Sequence, residues 1–211
     1  LNAAWGTVFW GLEFSHFGQV PTPRVTKAQP NPALLLAWRY FRSDCTVEMV
    51  GLHAAAVRRH APQYITTNHQ ALWNNRTDYY DMARHLDVTG TNYYPPYGAD
   101  GRAAAFGLAA CRSYKARNFQ LHELRSGSQN LPGAGGSSPE PGEVIRSTLH
   151  VVAHGAEAIY YFRWRICPFG AEQHWGSITD YDGRPTRVYD EVKTVGAGLR
   201  RLAPLLDDTA V

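Results

Sequence analysis

Two carboxylates fall where they could do chemistry. Glu123 closes the run "FQLHE", and Glu172 lies in "GAEQHWG". Groups that grip hydroxyls or cover rings cluster at matching places along the chain. They are Thr67, Asn68 and His69; then Asn92, Tyr93 and Tyr94; then His122; then Arg163, Trp164, Arg165, Gln173, His174 and Trp175. Amides and carboxylates bind hydroxyls while aromatic faces stack on apolar ring faces, so this set suits a polyhydroxylated ligand. Hydrolysis of a glycosidic bond needs two carboxyl groups, one as nucleophile and one as proton donor. Glu123, at the end of a strand, is held as a nucleophile must be. Glu172, deep in a loop, suits hydroxyl binding. Plainer readings stay open: Glu123 as a solvated or salt-bridged acid, Arg163 and Arg165 paired with helix acids, Asn68 and Asn92 as turn formers.

Other chemistries find no footing. His150 and His154 are four apart on a helix, but no HExxH accompanies them, so packing or capping is expected. No GxSxG elbow occurs. Cys45, Cys111 and Cys167 are widely spaced with no CxxC, so no metal site is expected within the chain. Cys45 and Cys111 lie in helical patterns as expected buried thiols. The odd cysteine count points to a reducing compartment, the cytoplasm. The net charge of +3, with no basic block, argues against nucleic acid. No apolar run is long enough for a membrane span. The opening "LNAAWG" is not a signal peptide. Hydrophobic residues are 44% and charged residues 18%, the balance of a globular chain.

These residues must be placed by regular elements. "NPALLLAWRYFRSDCTVEMVGLHAAAVRRHAP" predicts one long helix, with Asn31 as N-cap, Pro32 in its first turn and Phe41, Cys45, Met49, Leu52 and Ala56 as its apolar stripe. Strands are expected at "QYITTN", "DVTGTNYYP", "FQLHE" and "AIYYFRW". The helices between and after them are "DYYDMARHL" capped by Asp78, "GRAAAFGLAACRSYKA", "PGEVIRSTLHVVAHG" with Ile145, Leu149 and Val152 on one face, and "PTRVYDEVKTVGAGLRRLAPLL". A Gly-, Ser- and Pro-rich loop of about twenty residues follows Glu123, a length usually kept for function.

Alternating βα units imply a parallel sheet with helices outside. No GxGxxG follows a strand, which leaves the (β/α)8 TIM barrel over a doubly wound dinucleotide fold. Only four strands are visible where eight are needed. Residues 1–211 are therefore expected to be a partial barrel domain, roughly strands five to eight with their helices. Chemistry in a barrel sits at the C-terminal strand ends, where the residues above fall.

Several stretches resemble glycoside hydrolase family 42, the β-galactosidases: "LNAAWGTVFWGLEFSHFGQVPTPR", "NPALLLAWRYFRSD", "HELRSGSQN", "AHGAEAIYYFRWR" and "GAEQHWGSI". The likeness runs over nearly the whole chain in the same order. It implies retaining hydrolysis of terminal β-D-galactosyl residues with Glu123 as nucleophile, and a pocket lined by Trp5, Tyr94 and Glu172. It also implies that the acid/base Glu and any zinc-binding cysteines lie upstream of Leu1, that the isolated chain is inactive or nearly so, and that the full-length parent is a homotrimer. Asn130-Leu131 departs from the Asn-Trp that many members carry after the nucleophile. Trp175 stands where many have a sugar-binding His, with His174 beside it. The alternatives are a non-catalytic galactoside-binding relative, or the same chemistry on α-L-arabinopyranosides or β-D-fucosides.

Overall fold

The computed structural model describes residues 1–206 except 25, 26, 28, 64–68, 72–74, 95–100 and 130–136. Four parallel strands, β1 (His69–Ala71), β2 (Gly90–Tyr93), β3 (Phe119–Arg125) and β4 (Ala156–Phe162), pair in the order β1-β2-β3-β4. Sequential order with every neighbour parallel is the winding of a (β/α) barrel; a doubly wound sheet would reverse its order partway. Six α-helices accompany them among the described residues: α1 (Asn2–Trp5), α2 (Pro32–His60), α3 (Tyr79–Arg84), α4 (Arg102–Ser113), α5 (Glu143–Ala153) and α6 (Arg187–Leu206).

The caps read from the sequence are in place. Asn31 Oδ1 accepts from the amides of Ala33 and Leu34, and Asp78 Oδ1 from those of Tyr80 and Asp81. Each satisfies amide donors that the first helical turn leaves unpaired. Asn2 ties the opening segment together by taking Thr7 Oγ1 and Phe14 N on its Oδ1 and donating to Phe14 O. His154 caps α5, with Nδ1 2.9 Å from His150 O.

The main core lies between the sheet and α4/α5: Leu108, Cys111, Phe119, Leu121, Leu124 and Val151 are buried together with Tyr93. Each large apolar side chain removed from water there contributes about 1.5–3 kcal/mol. A second core joins α2 to α3 through Val50, Ala54, Tyr79, Met82 and Leu86. A third packs Val144 of α5 on Val188 of α6 and Ile178.

Several expectations are corrected. β3 does not end at Glu123 but runs to Arg125. Its pairing shows why. Thr91 faces Leu121 and Asn92 faces Glu123, so β3 holds one residue more than β2 at this point. Against β4 the same surplus falls between Leu121 and Leu124. This is a β-bulge at His122 and Glu123; it lets Leu121 and Leu124, three apart, share one core, and it breaks the alternation that marks a strand in sequence. Gly90 makes room for the displaced His122, since a Cβ there would come 2.0 Å from the imidazole Cε1. The strand expected at Gln63–Asn68 lies outside the described residues save Gln63, which is in a turn; Thr67 and Asn68 lie outside them too, and His69 opens β1 opposite Gly90.

The helix faces also shift. On α2 the buried residues are Ser43, Val50 and Ala54, while Phe41 (57% exposed), Met49, Leu52 (65%), Cys45 and Ala56 face outward. Periodicity reports that a face is apolar, not what covers it, and no described element covers this one. On α5 the buried face is Val144, Thr148 and Val151, one position round from Ile145, Leu149 and Val152. Cys111 is buried as expected. No helix among the described residues is long and apolar enough to cross a membrane.

Candidate active site

Glu123 sits on the bulge of β3, and two donors from the β2 side converge on its Oε2. Asn92 Nδ2 donates at 2.5 Å, and the Tyr94 hydroxyl donates to the same oxygen. No described residue hydrogen-bonds Oε1. Hydrogen bonds to a carboxylate are charge-assisted and stronger than neutral ones. Burial first, and the bond to Glu123 second, raise the Tyr94 hydroxyl above the usual phenol range, so it stays protonated and keeps donating; the neighbouring Gln129 amide opposes this in part. Gln129 itself is buried, and its Nε2 has no hydrogen-bond partner among the described residues.

The loops that follow β3 and β4 build the rest of the rim. They cross backbone on backbone at Gly127 and Gly176, where Gly176 N donates to Ser128 O at 2.8 Å. A Cβ on Gly127 would lie 2.1 Å from the carbonyl carbon of Gly176, so the crossing admits only glycine. Arg125, 2% exposed, gathers the first loop by its ends: Nε donates to Gly127 O and Nη2 to Ser137 O. The second loop is tied to the end of β4 by Ile178 N to Arg163 O and Thr179 N to Trp164 O.

Arg163 anchors Glu172. Its Nη2 donates to Glu172 O at 2.9 Å and lies 3.3 Å from Glu172 Oε2. It pairs with a loop acid rather than with a helix acid, the plainer of the two readings left open. Arg165 makes no ion pair among the described residues. The Arg163 guanidinium also sits 4.9 Å from the Phe162 ring centre. Phe162 in turn meets Trp175 edge-on at 5.9 Å and Tyr94 at 6.4 Å, so one aromatic ring at the end of β4 joins the residue after β2 to the loop after β4.

Tyr94, Glu123, Glu172 and Trp175 are thus brought into one rim. Trp5 and His174 are not joined to it by any hydrogen bond or ring contact among the described residues. Trp5 closes α1, and its carbonyl accepts from Asn31 Nδ2 at 2.8 Å. His174 is exposed, with Nε2 3.2 Å from Gln173 Nε2. Asn130 and Leu131 lie outside the described residues. Sequence reading missed Phe162, Gln129 and the Asn92 grip on Glu123; Asn92 and Glu123 are far apart in the chain, and only the bulged register brings them face to face. No donor set for zinc occurs among the described residues, and the three cysteines stand on separate elements.

The sequence profile of glycoside hydrolase family 42, described as β-galactosidase, matches residues 1–202. The chain is 33% identical to β-galactosidase Bga of Halorubrum lacusprofundi over 90% of its length and 29% of the relative's. It is 33% identical to β-galactosidase BgaA of a Thermus species over 96% of its length and 34% of that protein's. Among solved structures, the β-galactosidase of Rahnella sp. R3 superposes with a TM-score of 0.88 at 28% identity, covering 97% of this chain and 31% of that one. The Halorubrum lacusprofundi enzyme superposes at 0.83 with 30% identity, over 92% and 31%. The chain thus spans about a third of the length of the relatives it matches. Fold, profile and segment order agree, and the chain belongs to glycoside hydrolase family 42, the β-galactosidases.

Proposed function

We propose that residues 1–211 form the C-terminal half of the catalytic (β/α)8 barrel, strands five to eight, of a retaining β-galactosidase that releases terminal non-reducing β-D-galactose. The carrying observation is the convergence of Asn92 and Tyr94 on a single oxygen of Glu123. A carboxylate gripped at Oε2 presents Oε1 to an anomeric carbon. Attack forms a C–O bond to Glu123 and expels the leaving oxygen, which takes a proton from a second carboxylic acid. That group then removes a proton from water, which displaces Glu123 and frees the sugar with retained configuration. Retaining enzymes set the two carboxyls about 5–5.5 Å apart.

Glu172 is not that second acid. Its carboxylate is already tied to Arg163, with Oε2 3.3 Å from Nη2, and its backbone carbonyl accepts from the same nitrogen. It therefore serves as an acceptor for sugar hydroxyls, and the acid/base is a residue outside the chain. Trp175 and Tyr94 flank the ring, with Trp5 and His174 completing the wall once the other half is in place. A homotrimeric parent is proposed on the family resemblance alone, and a cytoplasmic site on the three free thiols.

The test is intact mass of the longer polypeptide after incubation with a 2-fluoro-galactosyl trapping reagent, followed by peptide mapping. A galactosyl adduct on the Glu123 peptide is expected. No adduct, together with no turnover of an aryl β-galactoside, would leave a galactoside-binding protein instead. The 211-residue chain alone should turn over an aryl galactoside at least 10²-fold more slowly, the usual worth of general acid–base assistance.

A further inference from the structure

We infer that Asn92 is a positioning residue for Glu123: its amide selects Oε1 as the attacking oxygen. This rests on the reading of Glu123 as the nucleophile. The surplus residue in β3 sets Asn92 directly opposite Glu123, although the preceding pair is Thr91 with Leu121. Without the bulge, Asn92 would face His122. The amide is then held in one sense only. Nδ2 donates to Glu123 Oε2 at 2.5 Å, whereas a reversed amide would set its oxygen against a carboxylate. Asn92 Oδ1 is buried and has no partner among the described residues, so nothing on that side rewards the present orientation. A buried acceptor left unpaired destabilises the fold, and such groups persist where function holds them. Tyr94 reaches the same Oε2 from beyond the strand end, so the two donors immobilise one oxygen and leave the other without a hydrogen bond among the described residues. A neutral amide does not titrate, so its grip is constant across the working pH range.

Asn92→Ala and Asn92→Asp in the longer polypeptide test this with the same trapping reagent. For Asn92→Ala the trapping rate constant should fall about 10- to 100-fold, the worth of one hydrogen bond to a charged group. Inhibition by galactose and the melting temperature should stay near wild type. Asn92→Asp, in which only the protonated acid can donate, should be slow at neutral pH and regain rate as pH is lowered. Wild-type trapping in Asn92→Ala, or a loss matched by an equal loss of galactose affinity and stability, would overturn the assignment. Should the wild type not be trapped at all, the nucleophile reading fails, and the contact is then decided on the 211-residue chain by NMR. An Asn92 Hδ2 proton shifted downfield and collapsing to the ordinary amide region in Glu123→Gln supports the grip; an unchanged resonance refutes it.

Discussion

Gly127→Ala isolates the crossing of the two rim loops. The added methyl would stand 2.1 Å from Gly176 C, 2.4 Å from its O and 2.6 Å from its Cα, all backbone atoms. Neither strand end can rotate a side chain out of the way, so the loops must part by more than an ångström. Overpacking of this kind costs about 1–3 kcal/mol. Parting the loops also breaks the Gly176 N to Ser128 O bond, net about 1 kcal/mol. The sum, about 2–4 kcal/mol, should lower the melting temperature by roughly 5–15 °C in a domain of this size. Gly142→Ala is the matched control. Its Cβ would meet nothing within 4 Å, and only its φ of +87° is strained, worth about 1–2 kcal/mol. Thermal unfolding followed by circular dichroism measures both. In the longer polypeptide, Gly127→Ala should also raise KM for an aryl galactoside, because Glu172 and Trp175 ride on the displaced loop. If Gly127→Ala melts no lower than Gly142→Ala, the crossing does not constrain the loops.

Other perturbations address single groups. Tyr94→Phe removes one donor from Glu123 Oε2 and should lower kcat about 10- to 100-fold with a smaller change in KM, read by steady-state kinetics. Arg163→Met frees Glu172 from its backbone and carboxylate contacts; it should raise KM while Glu123 is still trapped, and a normal KM would deny Glu172 a role in binding. Thiol titration of the native chain at pH 8 should label Cys45 and Cys167 and spare Cys111, whose thiol burial pushes up to about 12, until denaturant is added. Burial, with smaller repulsion from His154 and Arg146, lowers the His150 pKa. The unfolded chain then binds the proton more readily, so stability is full above the ordinary histidine range and declines as pH falls through it. Denaturant melts of His150→Gln should show less of that decline; an identical pH profile would count against it.

Local chemistry was the most legible part of this molecule. Asn31 and Asp78 announce helix starts because a cap is made within four residues of itself. The four parallel strands followed from the alternation of strand and helix signals. Legibility ended where distant segments meet. The outward stripe of α2 reads as core because hydrophobic spacing is blind to the partner that must cover it. β3 looks two residues too short because a bulge interrupts its period at His122. Asn92 passes for a turn former, since its partner Glu123 is reached only through inter-strand register. The glycines at 127 and 176 look like ordinary loop residues until the two backbones are seen to touch.

The bulge in β3 also sets one codon of this strand apart in its response to in-frame loss. Replacing His122 alters one ring over Gly90 and leaves the spacing of its neighbours alone. Deleting its codon removes the surplus residue, and Leu121 stays opposite Thr91, Glu123 opposite Asn92 and Leu124 opposite Tyr93, now in an unbroken ladder. Losing codon 121 or 124 instead would bring His122 or Arg125 to the place of a core leucine. A library of single-codon deletions across this strand should therefore tolerate loss best at codon 122.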